Sequence, residues 1–333
     1  MLGDQAAQPN CAPRSPRHPV GKASRRMVDS VGGPFLRAAT AAASRHLSLR
    51  SRARCVAIAH DLLLVLSRAR TTFLWDHTDI ILADSKDDDG FVRAASSVHA
   101  SQIQAVLEEL STEHPDVRPI GLVLVGPSLF VVHREMLHSK LSEPLLEGSL
   151  LVAVDRALGT PRFCTASELA LFIEQLQLTA SALERWLAPD TLPASTLLEI
   201  DSTCCAGRLM VCIHGWLLEY PLVYCFLDAS VDEGTAGSNT SSCLAGELLR
   251  VHRLTARMRT APNGPRLEAA PPHLVCSFTW PARLAEEVGG DGAALAALAR
   301  WESCMQQRLA CAADVWHDVQ LEVRDVAFDS IVL

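Results

Sequence analysis

The spacing of apolar residues along the chain predicts four helices. In each of them apolar side chains recur every three or four positions, as on the buried face of a helix. The clearest begins at Thr165, which has the spacing of a capping box with Glu168, and it is expected to end before Pro189. The predicted helices are 55–66, 97–110, 165–187 and 282–312, the last interrupted by glycines at 289–292.

Other apolar residues form continuous or alternating runs, which are typical of buried strands. Helices and strands alternate early in the chain, whereas strands follow one another between residues 196 and 280. This order predicts an α/β or α+β fold, in which a mixed, largely antiparallel sheet is flanked by helices in a single domain over residues 55–333. The predicted strands are 71–75, 120–125, 129–132, 150–154, 161–165, 196–201, 246–258, 274–280 and a closing strand or hairpin over 319–328. Within 246–258 the alternation is imperfect, and Leu248, Val251 and Leu254 also lie at helical intervals.

The densest apolar stretch runs from Gly207 to Asp228 and breaks once, at His214-Gly215. We interpret it as two buried strands that meet near that break. A membrane span is a poor alternative, because Glu219 and Pro221 lie inside the same stretch and a carboxylate near a bilayer centre costs about 2.5–3.5 kcal/mol.

Charge is distributed unevenly along the 333 residues, whose formal net charge is −8. Residues 1–54 carry ten Lys/Arg against two acidic residues, which leaves 20 basic and 36 acidic residues in the rest. We expect residues 1–54 to be a basic, disordered extension, with a mitochondrial targeting segment as the alternative. The acidic remainder argues against a nucleic-acid-binding surface, which needs clustered Lys and Arg.

Eleven cysteines are spread through apolar runs and do not form the even, spaced framework of a disulfide-rich secreted protein. Reduced, buried thiols in a soluble cytoplasmic or nuclear protein explain them better. Cys204, Cys205, Cys212 and His214 lack the pairwise loop spacing of a zinc site, although Cys212 and His214 would share a face of a strand. We therefore predict no metal and no cofactor.

Several apolar runs end in aspartate, and this is the strongest hint of chemistry. If the strands were parallel neighbours, their carboxylates would gather at one edge of a sheet and could hold Mg²⁺ for phosphoryl transfer. The ordinary alternative is that aspartate turns the chain after a strand. The aspartates of this hypothesis are Asp76, Asp155 and Asp228 after strands, with Asp79 in the same loop as Asp76; Asp201 also follows a strand.

Motifs of the common nucleotide-binding and hydrolytic enzymes are missing. Gly121–Ser128 has the glycine spacing of a phosphate-binding loop, but Pro127 stands where the lysine is required. The sequence contains neither G-x-G-x-x-G nor G-x-S-x-G.

Two short stretches resemble a known family. WLLEYPLVYCF at residues 216–226 and CSFTWP at residues 276–281 are similar to an uncharacterised eukaryotic family, a domain of unknown function typified by the human chromosome 1 open reading frame 74 protein. The resemblance implies a single intracellular domain and carries no activity, cofactor or catalytic residue.

These observations favour an intracellular interaction or adaptor module without an identifiable active site. Its expected partner is another protein, not nucleic acid or a membrane, and the sequence leaves the oligomeric state open. The alternative is a metal-dependent phosphohydrolase-like enzyme that uses Asp76, Asp79, Asp155 and Asp228.

Overall fold

A computed structural model describes most of the chain: residues 32–47, 49, 51–76, 89–188, 197–200, 207–227, 243–259, 272–287 and 292–327. The helices are α1 Gly32–His46, α2 Arg52–Leu66, α3 Asp89–Glu113, α4 Arg134–Leu141, α5 Ala166–Leu187, α6 Gly207–Leu217, α7 Ala282–Glu287 and α8 Ala293–Cys311. The strands are β1 Thr72–Leu74, β2 Ile120–Val125, β3 Ser128–His133, β4 Leu150–Ala153, β5 Arg162–Phe163, β6 Leu197–Ile200, β7 Leu222–Cys225, β8 Leu248–Met258, β9 His273–Pro281 and β10 Trp316–Ala327.

The strands pair in an α+β arrangement, as predicted. They form three sheets in the described residues, where the sequence predicted one: β1-β3-β2-β6, β5-β4-β7 and β10-β8-β9. Pairing is mixed and largely antiparallel, and the parallel pairs are β2 with β6 and β4 with β7.

The first sheet lies between two layers of helices. Leu122, Leu124 and Val131 project into a core shared with helices α1–α3, whereas Val123 and Val132 project into a core shared with α4–α6. This burial on both faces explains why β2 is apolar at every position except one glycine.

The stretch from Gly207 to Asp228 is not a pair of strands, so that prediction is wrong in its first half. Residues Gly207–Leu217 form helix α6, and only Leu222–Cys225 form a strand. A continuous apolar run suits a buried helix as well as a strand. The buried residues have helical spacing: Leu209, Cys212, Ile213, Trp216 and Leu217.

Helix α1 lies within the segment predicted to be a disordered extension. Phe35 and Ala39 are fully buried, and the Phe35 ring packs edge-on against His114. The boundary predicted at residue 55 is therefore too late, because α1 belongs to the core and residue 55 lies inside α2. The error arose because α1 buries mostly alanine, which gives a weak apolar signal.

The capping box of α5 is present as predicted. The Thr165 hydroxyl accepts from the backbone N–H of Glu168, whose carboxylate accepts from the N–H of Thr165. Among the described helices, none combines the length and apolar character that crossing a membrane requires.

Candidate functional site

A cleft of about 500 Å³ opens where three parts of the chain meet. The end of α4 and the loop after it form one side, the end of α6 and the turn before β7 form a second, and α8 forms the third. Clefts of this size commonly bind small ligands or single side chains of a partner. Its lining includes Lys140, Glu143, Leu146, Glu147, Trp216, Glu219, Arg300, Trp301, Cys304, Met305 and Arg308.

The turn after α6 brings Glu219 into this cleft. The N–H of Tyr220 donates to the carbonyl of Gly215, and the N–H of Glu219 donates to the carbonyl of Trp216, which is the hydrogen-bond pattern of a Schellman motif. Glu219 occupies the left-handed position of that motif with φ 58°, where glycine is normally found. A side chain in that conformation costs about 1–2 kcal/mol, so this glutamate is held there by other contacts.

Arg308 supplies those contacts from α8. Its two terminal nitrogens donate to the two carboxylate oxygens of Glu219, at 2.6 and 2.9 Å. Arg300, Cys304 and Arg308 follow one another at four-residue intervals and form one stripe of α8 along the cleft.

Lys140 lies beside this pair, at the last turn of α4. Its ammonium donates to the carbonyl of Trp216 and lies 5.4 Å from the centre of the Trp216 ring. An ammonium has three N–H donors, and the described residues accept only this one hydrogen bond from it, although the charges of Glu219 and Glu143 also act on Lys140. Lys140 thus both caps the end of α6 and presents free donors to the cleft.

The pKa values in the cluster reflect burial and mutual charge. Burial lowers the pKa of Lys140 to about 8, with Arg308 lowering it and Glu219 raising it. Burial alone would raise the pKa of Glu219, but the charges of Arg308 and Lys140 outweigh it and hold that pKa well below its usual value. Lys140 and Arg308 around Glu219 have a formal net charge of +1, and with Glu143, Glu147 and Arg300 the formal charge of the cleft lining is zero.

The remaining lining divides into an apolar floor and a charged rim. Trp216, Trp301 and Met305 are buried and form the floor together with Leu146, which also has a positive φ, of 62°. Glu143, Glu147 and Arg300 are exposed at the rim. Chemically the cleft can hold an apolar group on its floor and an anionic group against Lys140.

The strand-end aspartates are only partly described. Asp76 is exposed after β1, and Asp155 is buried after β4. Both oxygens of Asp155 accept from the backbone N–H of Leu227, at 2.9 Å. Asp79, Asp201 and Asp228 lie outside the described residues.

Cys212 and His214 do not share a face, contrary to the expectation for a strand. They lie two positions apart on α6, which separates them by about 200° around the helix axis. Cys204 and Cys205 lie outside the described residues, and within those residues no group of three His, Cys, Asp or Glu side chains could hold a metal ion.

Sequence reasoning missed Lys140, Glu219 and Arg308 as a cluster. The sequence indicated Glu219 only as a carboxylate within an apolar stretch. It could not indicate the ion pair, because Arg308 lies 89 residues further along the chain. The usable signal was Glu219 itself, an acidic residue at the left-handed position after α6, where a glycine is usual.

A family model identifies the chain, whereas the searches of curated proteins and of solved structures find no match. The matching family is described as a domain of unknown function (DUF4504) and its model covers residues 40–333. Because this match extends over most of the chain, the protein belongs to the DUF4504 family.

Proposed function

We propose that the protein is an interaction module that receives a short segment of a partner protein in the cleft between α4 and α8. The observation that carries this proposal is the half-buried ammonium of Lys140, which has two free donors above a floor of tryptophan side chains. A desolvated cation with unused donors is stabilised by an anionic group, which raises its pKa again.

The charges around the cleft define the segment further. Lys140 and Arg300 favour a carboxylate, and the apolar floor favours a large apolar side chain beside it. Glu143 and Glu147 at the rim disfavour a second negative charge and favour a basic residue. The expected ligand is therefore a peptide with one apolar, one acidic and one basic residue in succession, not a polyphosphate.

Binding of acetylated Leu-Glu-Arg amide can be followed through the fluorescence of the cleft tryptophans. Saturable binding is expected, with at least a tenfold loss for Leu-Gln-Arg and for the Lys140→Met variant. Arg300→Gln should weaken binding, whereas Arg118→Gln, an exposed arginine outside the cleft, should not. Equal affinity for the Glu and Gln peptides would refute the proposed recognition of a carboxylate.

The pH dependence gives an independent test. Lys140 with a pKa of about 8 loses its charge above that pH, so affinity should fall as pH rises from about 8 towards 10. Lys140→Met should bind weakly at every pH in that range. A flat profile for the unaltered protein would show that the ammonium is not the binding group.

We also propose a cytoplasmic or nuclear location, supported by the eight described cysteines, all of which are free thiols. The human chromosome 1 open reading frame 74 protein is proposed as a member of the same family. The support for this is the similarity of residues 216–226 and 276–281.

A metal-dependent phosphohydrolase is the second proposal, and one observation favours it. Strands β4 and β7 are parallel neighbours, with Ala153 opposite Cys225, so Asp155 and Asp228 follow strands that end at the same sheet edge. A thermal-shift titration with Mg²⁺ and Mn²⁺ tests it. A stabilisation of several degrees that Asp228→Asn abolishes would support this proposal, and no shift with either ion would refute it.

A further inference from the structure

Strand β10 is a long and exposed sheet edge. It runs for 12 residues, pairs with β8 on one side, and has no strand on its other side among the described residues. Eight of its twelve residues are exposed. Its outer backbone N–H and C=O groups are therefore available to another strand.

Exposed valines are the feature of this edge that favours pairing. Val319 and Val323 are 37% and 49% exposed, respectively. Natural edge strands are often protected by short length, charged side chains or bulges, and β10 has charged residues and one bulge, but it is long. Here two β-branched residues flank the half-buried Leu321, in the pattern of a strand that pairs further.

The sequence of β10 is complementary to itself when read in the opposite direction. With Leu321 placed opposite Leu321 of a second strand, Gln320 meets Glu322, Val319 meets Val323, and Asp318 meets Arg324. Each pair is favourable: a hydrogen bond, an apolar contact and an ion pair, and a two-fold axis makes each of them twice. Moving one strand by four residues, so that Val323 meets Val323, would pair Glu322 with Arg324 but would place the apolar Leu321 opposite Asp325.

We propose that two copies of this chain form a dimer by antiparallel pairing of their β10 strands about an axis at Leu321. The two three-stranded sheets then become one sheet of six strands. The surface is separate from the cleft, since no residue of β10 lines the cleft, so this proposal does not rest on the function proposed above.

The bulge in β10 sets where regular pairing can begin. It lies between His317 and Gln320, and Asp318 has a positive φ of 49°, so Asp318 sits at the irregular end of the paired segment. The Asp318 carboxylate accepts from Arg257 of the neighbouring strand at 2.8 Å and from the Gln320 amide at 3.0 Å. That side chain remains 41% exposed, and carboxylate oxygens can each accept a second donor. Arg324 is exposed and makes no ion pair with another described residue, so it is available to Asp318 of the other copy.

Light scattering after size exclusion tests the oligomeric state of the full chain. The expected mass is twice the 36.0 kDa of the chain. Arg324→Asp, which places like charges opposite each other, and Val323→Lys should each give a monomer. Controls that make the same changes outside β10 are Arg118→Asp and Leu178→Lys, both at exposed positions, and they should leave the dimer intact. Circular dichroism confirms that each variant is folded.

A cysteine at the axis tests the register. In a chain with Cys304→Ser and Cys311→Ser, which removes the exposed described thiols, Leu321→Cys should form a disulfide-linked dimer under mild oxidation. Val326→Cys should not, because its copies lie far from the axis. A chain that is monomeric at all concentrations overturns the proposal, even if another protein binds the β10 edge. So does a dimer that survives both β10 variants, or one that is linked through residue 326 and not 321.

Discussion

Removing the charge of Glu219 should destabilise the protein, because it leaves Lys140 and Arg308 as neighbouring cations without their carboxylate. Removing one partner of a buried ion pair costs about 3–5 kcal/mol. Since 19% of the Glu219 side chain and 24% of the Arg308 side chain remain exposed, we expect about 3 kcal/mol, at the lower end of that range, for Glu219→Gln.

Glu219→Gly distinguishes the free-energy contribution of the ion pair from that of the backbone conformation at residue 219. Glycine adopts φ 58° without the cost of about 1–2 kcal/mol that a side chain incurs, so this variant should lose only about 1–2 kcal/mol in total. Denaturant unfolding measures both free energies, and Glu174→Gln, at an exposed position of α5, is the control and should change stability by less than about 0.5 kcal/mol.

Two results would refute this reasoning. A Glu219→Gly protein more stable than the unaltered chain would mean that the ion pair contributes less than the backbone conformation costs. Additive effects of Glu219→Gln and Arg308→Gln in a double-mutant cycle would mean that the two side chains do not interact, although their atoms lie within 3 Å.

Three further perturbations test the fold. Phe35→Ala should lower the free energy of unfolding by about 3–5 kcal/mol, because Phe35 is fully buried. The control Arg37→Ala, on the exposed side of α1, should lower it by less than about 0.5 kcal/mol, and equal effects would mean that α1 does not belong to the core. Gly215→Ala should cost about 1–3 kcal/mol, since its Cβ would lie 2.9 Å from Val223 Cγ1, and Val223→Ala should restore part of the loss. Burial lowers the pKa of His252 to about 4, so between pH 6.5 and 4 the unfolded chain binds a proton there and the folded chain does not. The free energy of unfolding should therefore fall as the pH drops through that window, and His252→Phe should reduce the fall.

Local signals predicted the elements whose structure is decided locally. The capping box of α5 involves residues three positions apart, and the sequence was sufficient to place it. Strand β9 was predicted from a short apolar run that ends at Pro281, whereas β8 was predicted from an imperfect alternation that also allowed a helix. Helix α6 was misassigned because its residues are apolar on every side, and the contact of Gly215 with Val223, which fixes how the helix packs on β7, joins separate elements.

The cleft could not be predicted in the same way, because its parts come from α4, α6 and α8. A glutamate in a left-handed position, a half-buried lysine and a half-buried arginine are each unfavourable when considered alone. Together they compensate one another, since Arg308 neutralises Glu219 and the end of α6 accepts from Lys140. The other two N–H donors of Lys140 make no hydrogen bond to the described residues. Unfavourable conformations and buried charges occur at functional sites more often than elsewhere, and for this reason we propose this cleft as the recognition site.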